Sequence, residues 1–439
     1  MIHPSQNAKG LIIAAPRSGS GKTTLTLGLL TAIRRRNIRI RAAKSGPDYI
    51  DPAFHAAATG KISYNLDSWA MPPALLDYLL YQTMQDTDIA LIESSMGFFD
   101  GIETEAGRRG CGADLAERYH LPVLLIMDIS GQAQSAAAIA HGFATFSPDI
   151  NIIGVILNNV ASPRHRASTE AALKRINMPV LGAIPRDKTL SLPARHLGLI
   201  QAEEHPDLKK QLEHLGNYIE KYVDIDAVIN KAQNIDIPNK KAYYALPPPG
   251  QYIAIARDAA FSFIYPHILE GWKQQGASIE FFSPLANQPP PEYCDACWLP
   301  GGYPELYAGQ LANADHFIKG IRDFSQNRPI HGECGGYMVM GERLIDEHGE
   351  THKMTGLLSH STSFAKRKMH LGYRRALLPH SKSGHILHGH EFHYATLIER
   401  GNDIPYADLT DWIGTPIGPE GGRRGQITGC FFHSIAFSS

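Results

Sequence analysis

The sequence predicts an α/β protein of two domains, each built on a largely parallel sheet, the first carrying a P-loop. Three observations carry that expectation. Short apolar runs alternate with helical patterns from Leu11 to Ile184, and a second such series opens at Tyr252. A phosphate-loop pattern, Ser18-Gly-Ser-Gly-Lys-Thr-Thr24, follows the first apolar run. A Gly-x-Cys-x-Gly pattern centred on Cys334 lies inside the second series. Near-continuous apolar strands separated by helices suit a parallel sheet, because both its faces are covered.

In the first series Leu11-Ile-Ile-Ala-Ala is the opening strand, and a helix is expected over 23–35. Further strands fall at 39–44, 89–92, 122–127, 151–157 and 179–184. Residues 208–231 have the pattern of one polar, amphipathic helix. Residues 237–250 are rich in proline and polar residues, a linker composition. The domains are therefore expected at 1–240 and 241–439. The second series continues through a helix at 262–275, strands Ser278–Phe282 and Ala296–Leu299, and the cysteine turn.

The 439 residues suffice for two cores. A hydrophobic share of 43% and a charged share of 19% describe an ordinary globular chain. The net charge of −1 gives no general pull towards nucleic acid or anionic membrane. The richest apolar run, 121–129, contains Pro122 and Asp128 and is far shorter than the about 18 residues of a spanning helix. Neither nucleic acid nor membrane is expected as a partner. The first residues lack the basic and apolar regions of a signal peptide, and five scattered cysteines make no disulfide framework. A cytoplasmic location is expected.

The phosphate loop sits between a strand and a helix, the context the motif requires. Backbone N–H groups of Gly19, Ser20, Gly21 and Lys22 would cradle phosphates at the helix N-terminus, with Thr24 completing the nucleotide-binding set. Lys22 would bridge the β- and γ-phosphates of ATP, and Thr23 would ligate Mg²⁺. Pro16 replaces the first glycine of the strict pattern, and Arg17 stands where partition-type ATPases carry an extra lysine. Glu93 ends its strand, where a carboxylate can hold Mg²⁺. Lys44 and Asp48, after the second strand, are placed to reach the γ-phosphate and its metal. Asn158 and Asn159 end another strand, where an adenine contact competes with capping and turn roles.

Around Cys334, Gly332, Gly335 and Gly336 permit a tight strand-to-helix turn that a Cβ would obstruct. The turn sets the thiol at a helix N-terminus, whose dipole favours thiolate. A cysteine nucleophile needs a base. The candidates are His331, His370, His380, His385, His388, His390, His393 and His433. His331 lies too near the turn to point back at the sulfur, whereas His433 follows a final strand that returns to the sheet edge. Gly389-His-Glu-Phe-His-Tyr394 is one residue short of a zinc-protease spacing, and on a strand His390 and His393 face opposite sides. Those two read as substrate contact or packing. Cys294-Asp-Ala-Cys297 lacks a second pair and reads as structural. Gly301 and Gly302, just after a strand, could offer oxyanion donors.

With these residues in view, the chain closely resembles the cobyrinate a,c-diamide synthases, glutamine-dependent amidases of corrinoid biosynthesis. The resemblance rests on the phosphate loop, Lys44-Ser-Gly-Pro-Asp-Tyr-Ile-Asp-Pro, Glu93-Ser-Ser-Met-Gly-Phe-Phe-Asp-Gly101 and Leu192-Pro-Ala-Arg-His-Leu-Gly-Leu199. It extends through Leu299-Pro-Gly-Gly-Tyr-Pro-Glu305, the cysteine turn, His370-Leu-Gly-Tyr-Arg374 and Gly389-His-Glu-Phe-His-Tyr394. It implies an ATPase domain of dethiobiotin-synthetase type followed by a class I glutamine amidotransferase domain. Cys334 would attack glutamine with His433 as base, and ammonia would be released inside the protein. ATP, with Mg²⁺, Lys22 and Lys44, would phosphorylate a corrinoid carboxylate, and ammonia would displace the phosphate. Asp48, Tyr49, Ile50, Glu93 and Asp100 match family positions near metal and substrate, with Tyr49, Ile50 and Asp100 assigned to substrate. Related ATPases often pair two subunits, so a homodimer is a further expectation.

Many class I amidotransferases carry His-x-Glu, in which the acid orients the base. Here Ser434 and Ile435 follow His433, so the third member stays open. The divergent C-terminal strand also leaves room for free ammonia as nitrogen source. The same reaction on hydrogenobyrinate or nickel-sirohydrochlorin is the alternative within the class. A partition-type nucleotide switch with an inert C-terminal domain is the alternative outside it.

Overall fold

In a computed structural model, the described residues are 8–438, apart from 191–192, 196–197, 200, 206 and 380–385. His380, His385 and several residues of the 192–199 motif thus lie outside them. The chain divides into two compact units, one of residues 1–69 and 73–242, the other of 70–72 and 243–439.

The first unit alternates strand and helix: β1 Lys9–Ala14, α1 Lys22–Arg35, β2 Ile40–Ser45, α2 Asp51–Thr59, β3 Tyr64–Leu66, α3 Pro73–Met84 and β4 Ile89–Glu93. It continues with α4 Gly112–Tyr119, β5 Val123–Asp128, α5 Ser135–Thr145, β6 Ile152–Val160, α6 Pro163–Arg175, β7 Val180–Pro185 and α7 Leu208–Tyr222. The sheet order is β3-β2-β4-β1-β5-β6-β7, all parallel, with Gln233–Asn234 running antiparallel to the start of β1. Leu11, Ile12, Ile13 and Ala14 are fully buried, as a strand covered on both faces must be. Chain order departs to both sides of β1, so the carboxyl ends of β1, β2 and β4 frame a crevice of the kind that binds ligands.

Helix α7 lies against α1 at close range. A Cβ on Gly28 would come within 2.4 Å of Ile219 Cγ1, and one on Gly216 within 2.8 Å of Thr31 Cγ2. The single helix expected over 208–231 is in fact two. Val223 is extended, and Asp224 starts the helix Ile225–Lys231 by accepting from Ala227 N at 2.9 Å.

The second unit holds a six-stranded sheet in the order Ser278–Phe282, Tyr252–Ala256, Ala296–Leu299, Ile330–Glu333, Ile427–Cys430, Gly422–Arg424. Its first five strands are parallel and the last is antiparallel. An antiparallel sheet of five, ending on Ile386–His393 and His433–Phe437, and a mixed sheet of four complete it. The helix expected over 262–275 begins only at Pro266. Phe263 instead bridges Gly301, which pins the 301–302 loop.

His267, His360, His390, His393 and His433 are all buried in this unit. Burial pulls His267 and His360 down to about 4, and His390, His393 and His433 down to about 3. Below the ordinary value of 6.5 the unfolded chain binds protons that these sites refuse, so unfolding becomes easier as pH falls from 6.5 towards 4. Each such histidine removes up to about 1.4 kcal/mol of stability per pH unit in that window. Urea unfolding at about pH 7.5, 6.0 and 5.0 is expected to show the midpoint of the second unit falling steeply across this series. A flat midpoint would contradict the neutral burial.

Candidate active sites

The loop after β1 is held in shape by its own polar atoms. Gly19 and Gly21 take positive φ values of 75 and 86°, which only glycine adopts without strain. Ser20 Oγ donates to Arg17 O at 2.9 Å, and Asn158 Nδ2 donates to Ser20 O at 2.9 Å. A Cβ on Gly21 would meet Asn158 Nδ2 at 2.4 Å. Asn158 therefore buttresses the loop. Arg17 is exposed and pairs with Asp128 at 2.9 Å.

Lys22 opens α1, followed by Thr23 and Thr24, and its Nζ donates to Met96 O at 3.0 Å. Thr23 Oγ1 reaches Glu93 Oε1 at 2.6 Å and Asp51 Oδ2 at 3.2 Å. Lys44 Nζ contacts the same carboxylates, Asp51 at 2.5 Å and Glu93 at 3.0 Å. On the far side of Glu93, His55 Nε2 lies 2.8 Å from Oε2, while His55 Nδ1 lies 3.3 Å from Ser63 Oγ. The ends of β2 and β4 and the starts of α1 and α2 thus bring two lysines, two acids, a hydroxyl and a histidine into one buried cluster.

Its charges are set by competition between burial and neighbours. Burial penalises the Glu93 carboxylate, but Lys44, His55 and Lys22 outweigh it and hold Glu93 well below the usual range. Burial likewise opposes the Lys44 ammonium, and Asp51, Glu93 and Asp48 overcome it, keeping Lys44 protonated. Asp51 is raised to about 6 by burial and by Asp48, against the pull of Lys44. Lys22 is lowered to about 8 by burial and by Lys44. The oxygens of Thr23, Asp51 and Glu93 are the hard donors Mg²⁺ prefers, so the residues fit that ion.

Asp48, expected at the metal, keeps its charge within reach of Asp51 and Lys44, while one of its oxygens is engaged by the chain turn. Its Oδ1 accepts from Ile50 N at 2.7 Å and Asp51 N at 3.1 Å, closing the turn into α2. Asp51 takes the place beside Thr23. Sequence reasoning misses Asp51 and His55, although their i, i+4 spacing puts them on one face of α2. Tyr49 and Ile50 are buried, whereas Asp100 is exposed with its carboxylate over Gly97.

In the second unit Cys334 leaves the strand Ile330–Glu333 with φ 48° and ψ −106°, strained for a residue with a Cβ, and starts the helix Gly335–Met340. Gly336 packs on the neighbouring strand Ala296–Leu299, where a Cβ would lie 1.9 Å from Leu299 O. Cys334 N donates to Cys430 O at 2.8 Å, tying the turn to the strand that leads to His433. A Cβ on Gly301 would meet both His433 Cε1, at 2.5 Å, and Cys334 Cβ, at 3.3 Å. The thiol, the imidazole and the 301–302 loop therefore line one space. Gly302 N is also close, 3.0 Å from where a Gly335 Cβ would be.

The thiolate expected from the helix dipole is not what the environment favours. Burial, then Glu305, pushes the Cys334 thiol far above its ordinary value, and the Gly335 N–H opposes this only in part. The resting pair is a thiol beside a neutral imidazole, suited to proton transfer as attack occurs. His390 lies 5.5 Å from the His433 ring, and His393 stacks on Phe431 and His370. His331 pairs with Thr428 Oγ1 at 2.8 Å. Cys294 and Cys297 are buried free thiols whose ionisation burial opposes.

Comparison with known proteins matches both units. Residues 11–200 match the CobQ/CobB/MinD/ParA nucleotide binding domain, and residues 252–439 the CobB/CobQ-like glutamine amidotransferase domain. A hydrogenobyrinate a,c-diamide synthase from Mesorhizobium japonicum is 55% identical over 98% of this chain and 99% of its own length. Those from Agrobacterium fabrum and Rhodobacter capsulatus are 54% and 51% identical over 98% of this chain and 99% and 100% of theirs. The chain belongs to the a,c-diamide synthase family. It is a two-domain α/β enzyme, a glutamine-dependent carbon–nitrogen ligase whose P-loop domain uses ATP. Family membership sets aside the reading as a partition-type switch. Among the described residues, no helix is long and apolar enough to cross a membrane.

Proposed function

We propose that the protein amidates the a and c acetate carboxylates of hydrogenobyrinate in cobalamin biosynthesis, with glutamine as nitrogen donor and ATP as activator. The observation that carries this reading is full-length identity of 47–55% to relatives named for that substrate. It favours the metal-free acid over cobyrinate, the acid that the sequence motifs suggest.

In the second unit, residues 243–439, Cys334 Sγ attacks the glutamine amide carbon as His433 takes the thiol proton. His433 returns that proton to the departing nitrogen, giving ammonia and a glutamyl thioester that water cleaves to glutamate. N–H groups of the Gly301–Gly302 loop receive the oxyanion. In the first unit a substrate carboxylate takes the γ-phosphoryl group of ATP, ADP leaves, and ammonia displaces phosphate from the acyl phosphate. The activation is needed because a carboxylate oxygen is otherwise no leaving group for an amine.

Gly19, Ser20, Gly21 and Lys22 cradle the phosphates, and Lys22 and Lys44 offset charge on the transferred group. Thr23, Asp51 and Glu93 would hold Mg²⁺, which supplies charge neutralisation when bound. His55 fixes the Glu93 carboxylate from behind. Tyr49, Ile50 and Asp100 contribute to substrate binding, with Ile50 shaping the turn. We further propose a cytoplasmic homodimer.

Mass spectrometry of hydrogenobyrinate and of cobyrinate, each incubated with protein, MgATP and glutamine, tests the substrate. Two carboxyl-to-amide replacements on hydrogenobyrinate are expected, with kcat/KM at least about tenfold above that for cobyrinate. Preference for the cobalt acid would overturn the substrate assignment.

A further inference from the structure

His433 lacks the acid two residues on that many amidotransferases of this class use, yet a carboxylate reaches it from another strand. Glu333, the residue before Cys334, is buried with its Oε2 3.8 Å from His433 Nδ1. Its other oxygen, Oε1, accepts from Ser434 N at 3.0 Å, the backbone amide directly after His433. One carboxylate thus grips the peptide of the base and faces one nitrogen of its ring. The two residues are 100 apart in the chain, and the approach is built by the pairing of Glu333 with Cys430 and by Cys334 N donating to Cys430 O.

We infer that Glu333 is the positioning residue of the glutaminase site, supplying from the nucleophile's own strand the carboxylate that His-x-Glu supplies elsewhere. This rests on the reading of Cys334 and His433 as nucleophile and base. A carboxylate at Nδ1 keeps the proton on that nitrogen, so Nε2 presents its lone pair to the thiol. It also stabilises the imidazolium that forms during attack. Burial alone would make that cation costly, and the Glu333 charge is the neighbour that offsets it. Of the two other acids near the thiol, Glu305 and Glu391, the latter is tied to Arg374 at 2.6 Å. The separation of 3.8 Å is longer than a hydrogen bond, so the carboxylate acts on the ring through its charge.

The arrangement explains why the chain tolerates Ser434 and Ile435 after its base. His433–Phe437 is the edge of the antiparallel sheet, and Ser434 and Ile435 are buried in it, so a charged residue at 435 would have no solvent. The carboxylate before the nucleophile reaches the base instead.

The test compares glutaminase kinetics of wild type, Glu333→Gln and Glu333→Asp in the full chain. The amide of Glu333→Gln retains an oxygen for Ser434 N and loses only the charge, and thermal melting confirms its fold. Its kcat is expected to fall about 100-fold, with KM for glutamine within about twofold. Glu333→Asp, which keeps the charge, is expected to recover about tenfold of that loss. Carbamidomethylation of Cys334 by iodoacetamide, followed on its own peptide, separates the two ways the charge could act. If Glu333 acted only by repelling the thiolate, its removal would speed labelling; acting through His433, removal slows it. Folded Glu333→Gln with near wild-type kcat, or with faster labelling, would overturn the inference. Failure of wild type itself to hydrolyse glutamine would overturn the underlying reading of Cys334, and this inference with it.

Discussion

Cys334→Ala is expected to lower glutamine-supported amidation by at least about 10³-fold while ammonium-supported amidation stays within a small factor of wild type. The asymmetry follows from the division of chemistry between two sites. The nucleophile serves only to free nitrogen from glutamine, whereas carboxylate activation needs the lysine and acid cluster of the other unit. The small alanine side chain also fits the strained turn no worse than cysteine does, so folding is unaffected at φ 48°. Parallel assays at saturating glutamine and at saturating ammonium, under mildly alkaline conditions, give the two rates. Equal loss with both nitrogen sources would refute the division.

Lys22→Ala and Lys44→Ala are expected to fail with either nitrogen source, but for different physical reasons. Lys22 Nζ is held by a backbone carbonyl, that of Met96, so its loss leaves the fold intact and removes charge from the phosphate site. An effect of about 10²–10³-fold on ATP turnover is expected, with unchanged melting temperature. Lys44 is buried between Asp51 and Glu93, and removing it strands two buried acids. A destabilisation of about 3–5 kcal/mol accompanies its loss of activity. Coupled measurement of ADP release and thermal unfolding separates the pair. A Lys44→Ala protein as stable as wild type would contradict the buried ion-pair account.

The features legible in the sequence are those whose causes are local. Gly19, Gly21, Gly332, Gly335 and Gly336 mark turns that a Cβ would strain or obstruct, so the residues alone place both the phosphate loop and the cysteine turn. Buried strands such as β1 announce themselves by continuous apolar runs. The antiparallel sheet is not legible in the same way. Its strand His370–Leu377 is polar and half-buried, and its partners lie far along the chain. The break at Val223 escapes sequence reasoning because Asp224 suits a helix surface as well as a cap.

Site chemistry divides along the same line. Asp48 and Asp51 are both acids after the same strand, and only the turn into α2 decides that Asp48 caps while Asp51 meets Thr23. The position of Cys334 follows from its glycines, but its ionisation does not, because burial, a tertiary property, pushes the thiol up. Glu333 stands next to the nucleophile in the sequence. Its relation to His433 appears only once two distant strands are paired.

The most direct test of the central claim follows the nitrogen itself. Hydrogenobyrinate, MgATP and glutamine labelled with ¹⁵N in its amide are incubated with the protein, and the product is analysed by mass spectrometry. Two new amides, both carrying ¹⁵N, with glutamate and ADP released alongside, is the predicted result. Amides free of label, or labelled ammonia released with no amide formed on any tetrapyrrole acid, would contradict the account.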